Sequence, residues 1–358
     1  MKFYVIILLL LISICGFAQQ AKDTSTFSLN GGFDFYYGYH SGNNTNIPYY
    51  VSMAKNNEPN INLAYLDINY QYKRFRTNIT PAFGTYMDAN YAAENVTMQH
   101  LVSAYVGLQI NKQKNIWVDA GILPAPYTLE NALSKEQLMY TRSLASEGSP
   151  YFVTGARVTI PLSKKTIFTG YLINGWQQIR DVNSQISLGS LIEIKANKKH
   201  KIGWSIYVGN EKSNLNPTFG YRYYTDVQWT YLHNKKLSAT SVVSLGLQNK
   251  TDTLTKHKND LWWQANFIAK YNLTARQSIA ARTEFYNDPF KNIVTPIIGN
   301  SGFAAFGNSI CYSLKIKNNA LFRVETKHLY TTNNIQLDKN NKATNQSWLA
   351  VANITIWF

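Results

Sequence analysis

Residues 346–358 read Gln-Ser-Trp-Leu-Ala-Val-Ala-Asn-Ile-Thr-Ile-Trp-Phe. In an extended chain, Trp348, Ala350, Ala352, Ile354, Ile356 and Phe358 form a uniformly apolar row on one face, while Ser347, Leu349, Val351, Asn353, Thr355 and Trp357 form a mixed row on the other. An alternating strand that ends on an aromatic residue predicts the closing strand of an outer-membrane β-barrel, with lipid on the apolar side and a lumen on the mixed side.

The composition agrees. Of 358 residues 14 % are aromatic, with 25 Tyr and 8 Trp, which suits the aromatic girdles of such barrels. Mean hydropathy is only -0.26 because each lipid-facing residue alternates with a lumen-facing one. Beyond the N-terminus no run approaches the length of a spanning helix, so a spanning structure has to be a closed barrel. At the N-terminus itself, Lys2, an apolar run and Gly16-Phe17-Ala18 predict a signal peptide over 1–18, cut after Ala18, and a mature barrel domain over 19–358. The apolar run is too short for a retained anchor helix, and Ile14 before Cys15 is bulky for a lipoprotein signal. Cys311 is then the one cysteine of the mature chain, which leaves no disulfide framework or thiolate metal cluster and predicts a small wall residue.

Alternating runs between turn signals predict sixteen strands, at 27–40, 61–73, 76–90, 98–111, 115–123, 150–161, 166–177, 185–196, 200–210, 219–233, 236–249, 259–271, 275–287, 301–317, 319–331 and 346–358; merging or splitting one hairpin would give fourteen or eighteen. Connections after even-numbered strands are short and those after odd-numbered strands mostly long, matching short periplasmic turns and long external loops. Much of the formal charge of +15 falls in those turns, at Lys112, Lys114, Lys164, Lys165, Lys198, Lys199, Lys235 and Lys236. Spread over separate hairpins, these lysines read as solvated turns, and no nucleic-acid partner is expected.

A cation facing lipid at mid-depth costs about 2 to 4 kcal/mol, so charges should share the lumen parity. In the thirteenth strand Arg282, Glu284 and Tyr286 oppose Ile279, Ala281 and Phe285; in the fifteenth, Arg323, Glu325 and Lys327 oppose Phe322, Val324 and Thr326. Asp34, Asp67, Asp119, Arg157, Glu193, Arg222 and Asp226 likewise oppose apolar faces. The expected pore lining is therefore Arg157, Arg222, Asp226, Arg282, Glu284, Arg323, Glu325 and Lys327, with a mild anion preference. The seventh strand and the start of the fourteenth are apolar on both faces and leave their parity open.

The connection over 124–149 is too long for turn chemistry and is expected to fold inward and narrow the passage. Helices are predicted at 128–133 and 136–144, and Glu130, Lys135, Glu136, Arg142 and Glu147 are expected either to set selectivity against Arg157, Arg222, Arg282 and Arg323 or to pin the loop to the wall. The Asn-rich loop over 41–60 reads equally as a floppy external loop or an inward lid.

Several fragments resemble one family: Gly32-Phe33-Asp34-Phe35-Tyr36-Tyr37-Gly38-Tyr39, Ala89-Asn90-Tyr91-Ala92-Ala93-Glu94, Asn115-Ile116-Trp117-Val118-Asp119-Ala120-Gly121-Ile122, Tyr140-Thr141-Arg142-Ser143-Leu144-Ala145, Ser149-Pro150-Tyr151 and Asn174-Gly175-Trp176-Gln177. In that order they resemble the OmpL-like β-barrel porin family of Gram-negative outer membranes, most strongly between Tyr86 and Arg180. The resemblance implies an outer-membrane porin of undefined substrate, without reaction chemistry or established ligand residues.

A barrel hydrolase of the phospholipase type would need a His beside a nucleophile. His200 and His233 fall in turns, His40 and His257 at loop edges and His100 near a strand top, and His328 is expected to face lipid. No Gly-x-Ser-x-Gly elbow, His-Glu-x-x-His pair or P-loop is present. Glu130, Glu136 and Glu147 are too irregularly spaced for a Ca²⁺ site. The expectation is a non-enzymatic passive pore for small hydrophilic solutes, without cofactor or metal. Its expected partners are outer-membrane lipids, the barrel assembly machinery, which would recognise Phe358, and further copies of the chain. The alternatives are a plugged structural or adhesive barrel and the hydrolase.

Overall fold

The computed structural model describes residues 25–233, 236–251 and 258–358. The predicted signal peptide over 1–18, the start of the mature chain at Gln19, Lys235 and His257 lie outside the described residues. Sixteen strands run in chain order: β1 (Ser25–His40), β2 (Pro59–Tyr72), β3 (Phe75–Phe83), β4 (Leu101–Asn111), β5 (Ile116–Pro124), β6 (Phe152–Pro161), β7 (Thr166–Ile173), β8 (Ser187–Lys195), β9 (His200–Asn210), β10 (Phe219–His233), β11 (Leu237–Lys250), β12 (Lys258–Asn272), β13 (Gln277–Asp288), β14 (Phe303–Lys317), β15 (Ala320–Thr331) and, after the short pair β16 (Gln336–Leu337) and β17 (Ala343–Thr344), β18 (Gln346–Trp357). Each wall strand pairs antiparallel with its neighbours, and β18 pairs with β1 from Gly32↔Trp357 to His40↔Leu349, closing the sheet. Closure leaves no edge in the apolar layer.

The turns of the even strands follow from local chemistry. Lys73 and Asn115 take positive φ of 52° and 51°. The Asn197 carboxamide accepts the backbone N–H groups of Lys199 and His200 at 2.8 and 3.1 Å, holding a tight Asx-type turn. The opposite rim carries the long loops, of which the third spans 125–151.

Side-chain parity is as expected of a membrane barrel. Phe33, Phe35, Leu66, Val106, Leu172, Val227, Phe267, Ile310 and Ile356 are exposed outside, while Asp34, Asp119, Asp226, Arg282, Glu284, Arg323, Glu325 and Lys327 are buried within. Tyr37, Tyr39, Tyr70, Tyr221, Tyr271, Trp348 and Phe358 are exposed aromatics. The two ambiguous strands resolve through their inner contacts: Thr169, Tyr171 and Ile173 of β7 point inward, as do Phe303 and Ala305 of β14. Cys311 is a free, buried wall residue opposite Ala280.

Three expectations need correction. The third strand ends at Phe83, not residue 90. Gly84 turns the chain at φ 130°, where a Cβ would lie 2.5 Å from the Asn62 carbonyl oxygen, and Thr85–Asn90 then form a short helix, α1. The helix expected over 128–133 is absent, because Thr128 sits at φ 56° with its N–H given to Asp226. The helix expected over 136–144 is replaced by a 3-10 turn at Ser134–Glu136 and the helix α2 at Leu144–Glu147, the latter capped by the Ser143 hydroxyl. Wall carboxylates take the N–H groups that helices there would have used, so tertiary contact overrides propensity.

Candidate functional site: the lumen and the loop that crosses it

The third long loop is rooted between β5 and β6 and reaches the far wall. In a ring of sixteen, β13 lies eight places from β5 in either direction, so contacts between this loop and β13 span the diameter. Those contacts are charge-assisted. Glu284 of β13 accepts the Leu144 N–H at 2.7 Å, and Glu325 of β15 accepts the N–H groups of Tyr140 and Thr141 at 2.8 and 2.9 Å as well as the Thr141 hydroxyl. Arg282 donates to the Thr141 carbonyl at 2.8 Å, and Arg323 to the Ser134 carbonyl at 2.9 Å. Toward β1 and β10, Asp34 accepts the Ser134 hydroxyl at 2.5 Å, and Asp226 accepts the Thr128 N–H at 2.8 Å. Bonds to ionised carboxylates are worth roughly twice neutral ones, and each would leave a costly unpaired buried charge if broken.

Between these anchors the wall charges neutralise one another. Lys327 lies 2.5 Å from Glu284, and Arg282 is 3.4 to 3.6 Å from Glu130, Glu284 and Glu325. Arg282, Glu284, Arg323, Glu325 and Lys327 are all at most 3 % exposed. They stand on the lumen side but under the loop. Asp226 and Arg222 are also buried, the latter donating to Gln248 at 2.9 Å and lying over the rings of Trp176 and Trp262. Arg157 keeps some exposure; it shares Asp119 with Arg76 at 2.8 and 2.6 Å.

Of the five loop charges, Glu130 alone meets one of the wall arginines expected opposite it, Arg282; Arg157, Arg222 and Arg323 take other partners. Arg142 instead ties the loop to itself, donating to the carbonyls of Asn131 and Ala132 at 2.7 and 2.9 Å. Glu147 turns toward the first loop, accepting the Val51 N–H at 2.8 Å. Burial pushes its carboxyl up to about 7, while the Val51 N–H, Arg142 and Lys327 act against that rise. Lys135 lies over the Tyr65 ring, and exposed Glu136 accepts from the Asn131 amide at 2.7 Å. The three carboxylates Glu130, Glu136 and Glu147 do not converge.

Sequence reading left one part of the lumen open, between an external loop and an inward lid, and missed another. The loop over 41–58 folds inward onto the third loop: Met53 is buried, Tyr50 lies under Lys327, and Tyr49 packs on Phe303 at 4.8 Å. On the β7 to β10 side, Trp176 stacks on Tyr127 at 5.6 Å and meets Tyr207 and Tyr224 edge-on at 5.0 Å each. The density of inward Tyr was the available signal for this cluster; the register that gathers it was not. His328 faces outward, stacked on Trp348 at 4.4 Å, away from the lumen's carboxylates.

A family model described as "Putative beta-barrel porin-2, OmpL-like" matches residues 26–356. The chain belongs to this OmpL-like porin family. It is therefore an outer-membrane porin, with family and fold pointing to a channel rather than an enzyme. Solved structures agree in fold. The OmpL-like porin is similar to an anion-selective porin from Comamonas acidovorans, with 8 % identity and a TM-score of 0.62 over 94 % of this chain and all of that one. It is similar also to the outer membrane channel DcaP of Acinetobacter baumannii, at 11 % and 0.61 over 95 % and 99 %, and to OmpT of Vibrio cholerae, at 9 % and 0.57 over 94 % and 99 %. No curated protein sequence matches the OmpL-like porin significantly.

Proposed function

We propose that this porin is a passive, water-filled channel for small hydrophilic solutes with a mild anion preference, its bore set by the third loop. The observation that carries the reading is the traverse of the diameter: the loop is tied to β13 and β15 opposite its root, so it narrows the lumen without hanging free. The anion preference is supported by the two arginines that share Asp119 and leave the β3 to β6 wall with one uncompensated cation. The Comamonas neighbour, described as anion-selective, is in line with it.

Single-channel recording in planar bilayers tests the channel. Conductance with a reversal potential favouring chloride is expected; a clear cation preference would contradict the selectivity, and silence at every voltage would overturn the pore. The packing of the first loop onto the third supports the second reading, a plugged structural barrel, which predicts that silence. Phospholipase activity abolished by His328→Ala would overturn the non-enzymatic assignment.

Further parts of the reading concern assembly. The signal peptide over 1–18 is cleaved, the assembly machinery recognises Phe358, and copies of the chain associate, as one solved form of the Vibrio OmpT, described as a trimer, does. The short strands β3 to β8, of 8 to 11 residues against 12 to 15 for β10 to β15, offer the lower wall for such contact. Crosslinking in intact membranes checks it.

A further inference from the structure

Most cations on the inner wall have a carboxylate beside them. Arg76 and Arg157 share Asp119, Lys201 pairs with Glu193, Lys250 lies 2.9 Å from Asp260, and Lys327 pairs with Glu284. Arg323, without a carboxylate partner, is satisfied by Asn353, Thr355 and two loop carbonyls.

The end of the lumen beneath the short turns is different. There Lys270 of β12, Lys315 of β14 and Arg276 of the turn before β13 line one cavity of about 390 Å³ with Ser278, Ser313 and Trp357. The register explains the gathering. Ser278 is the Cα partner of Asn272 on one side and Ser313 on the other, Lys315 donates its N–H to the Arg276 carbonyl at 2.7 Å, and Lys270 sits opposite Ala280, whose small side chain leaves room. Among the described residues, none of the three cations has a carboxylate within 4.0 Å, and none of their charged groups makes a hydrogen bond. A second cavity of about 590 Å³ shares Arg276 and Lys315 and adds Lys317, carrying the positive lining out to the rim.

We propose that this cavity is a binding subsite for polyvalent oxyanions, solutes bearing a phosphate or several carboxylates, at the periplasmic end of the channel. Two ammonium groups, a guanidinium fork and two serine hydroxyls supply donors and no competing acceptor charge, which is the chemistry such anions require. The ligand comes from the lumen and not from lipid. Lys270 and Lys315 share the inward parity of Ile268 and Ser313, whereas their neighbours Tyr271 and Ile316 are exposed outside. An unpaired cationic cluster where the channel ends raises the local concentration of anions there. The proposal rests on the channel reading and names its preferred solute class.

The test compares wild type with the double variant Lys270→Gln/Lys315→Gln, both shown to be folded by heat-shifted gel mobility, in bilayers of zwitterionic lipid. Inorganic pyrophosphate is added on the short-turn side at about 0.1 M KCl. Wild-type current is expected to be blocked, the half-blocking concentration to rise roughly tenfold or more in the variant, and the difference to shrink near 1 M KCl, where screening acts within about 3 Å. Equal block in both proteins would overturn the subsite. A second measurement needs no current: acylation of Lys270 by an amine-reactive ester in the detergent-solubilised barrel, read by mass spectrometry. Pyrophosphate should slow it several-fold. A silent protein whose Lys270 is protected sinks the channel reading and retains the subsite; unprotected Lys270 sinks the subsite itself.

Discussion

Glu325 on the wall holds Thr141 in the third loop twice over, accepting its backbone N–H at 2.9 Å and its hydroxyl with the other oxygen. The two residues are 184 apart in sequence, and Arg282 binds both, donating to the Thr141 carbonyl at 2.8 Å and lying 3.4 Å from Glu325. This triangle is where the crossing loop is fastened.

Glu325→Ala should therefore loosen the loop. Removing one partner of a buried, hydrogen-bonded ion pair costs about 3 to 5 kcal/mol. The expected outcome is a lower unfolding temperature together with larger and noisier single-channel currents. An unchanged current would mean that the loop does not set the bore.

The contact between Glu147 and Val51 should depend on pH. Burial raises the Glu147 carboxyl to about 7, and its Oε1 has no hydrogen-bond partner while Oε2 takes the Val51 N–H. The folded state thus favours the protonated acid, whose stabilising share is complete below about pH 4.5 and is lost as pH rises through about 7, a change of roughly 1 to 3 kcal/mol. Proteolysis within residues 41–58 is expected to be faster at pH 8 than at pH 5, and Glu147→Gln should remove that difference. Equal rates in wild type would refute it.

Asp119 neutralises one of the two guanidiniums beside it, Arg76 and Arg157, and the two lie over Trp117 and Tyr105 at 4.3 and 5.0 Å. Asp119→Asn keeps the shape and removes the charge. The reversal potential should move further toward chloride, most visibly at low salt, where screening is weak. A shift in the opposite direction would exclude this wall from the selectivity.

Phe358 and Gly31 form the last rung of the closing seam, with the Phe358 N–H donating to Gly31 at 3.1 Å and the Gly31 N–H returning the bond at 3.2 Å. The Phe358 ring fills the place of the missing Gly31 side chain, since a Cβ there would sit 2.5 Å from it. Deleting Phe358 is expected to reduce the inserted fraction much more than the conductance of the barrels that do insert. Gly31→Val should lower thermal stability by about 1 to 3 kcal/mol through overpacking. Normal insertion of the deletion variant would argue against Phe358 as an assembly signal.

Strand order and lumen parity were legible because both are local. Alternation in residues 346–358, or of Arg323, Glu325 and Lys327 against Phe322 and Val324, needs only the two-residue period of an extended chain and the cost of a charge in lipid. The same locality misled at residues 84–90, where one glycine at positive φ ended a strand that the pattern continued, and in the third loop, where helix formers were held extended by carboxylates far away in sequence.

The sequence by itself determined a closed antiparallel sheet of about sixteen strands and which face meets lipid in every strand but the seventh and the start of the fourteenth, since strands pair with their neighbours in the chain and the bilayer sorts the faces. Only the tertiary structure decided that Glu284 and Glu325 hold the loop rooted on the opposite wall, that Arg157 and Arg76 share Asp119, and that Lys270, Arg276 and Lys315 are left without acids. Those outcomes depend on the stagger of the strands and on distances across the lumen, which no periodicity along the chain encodes.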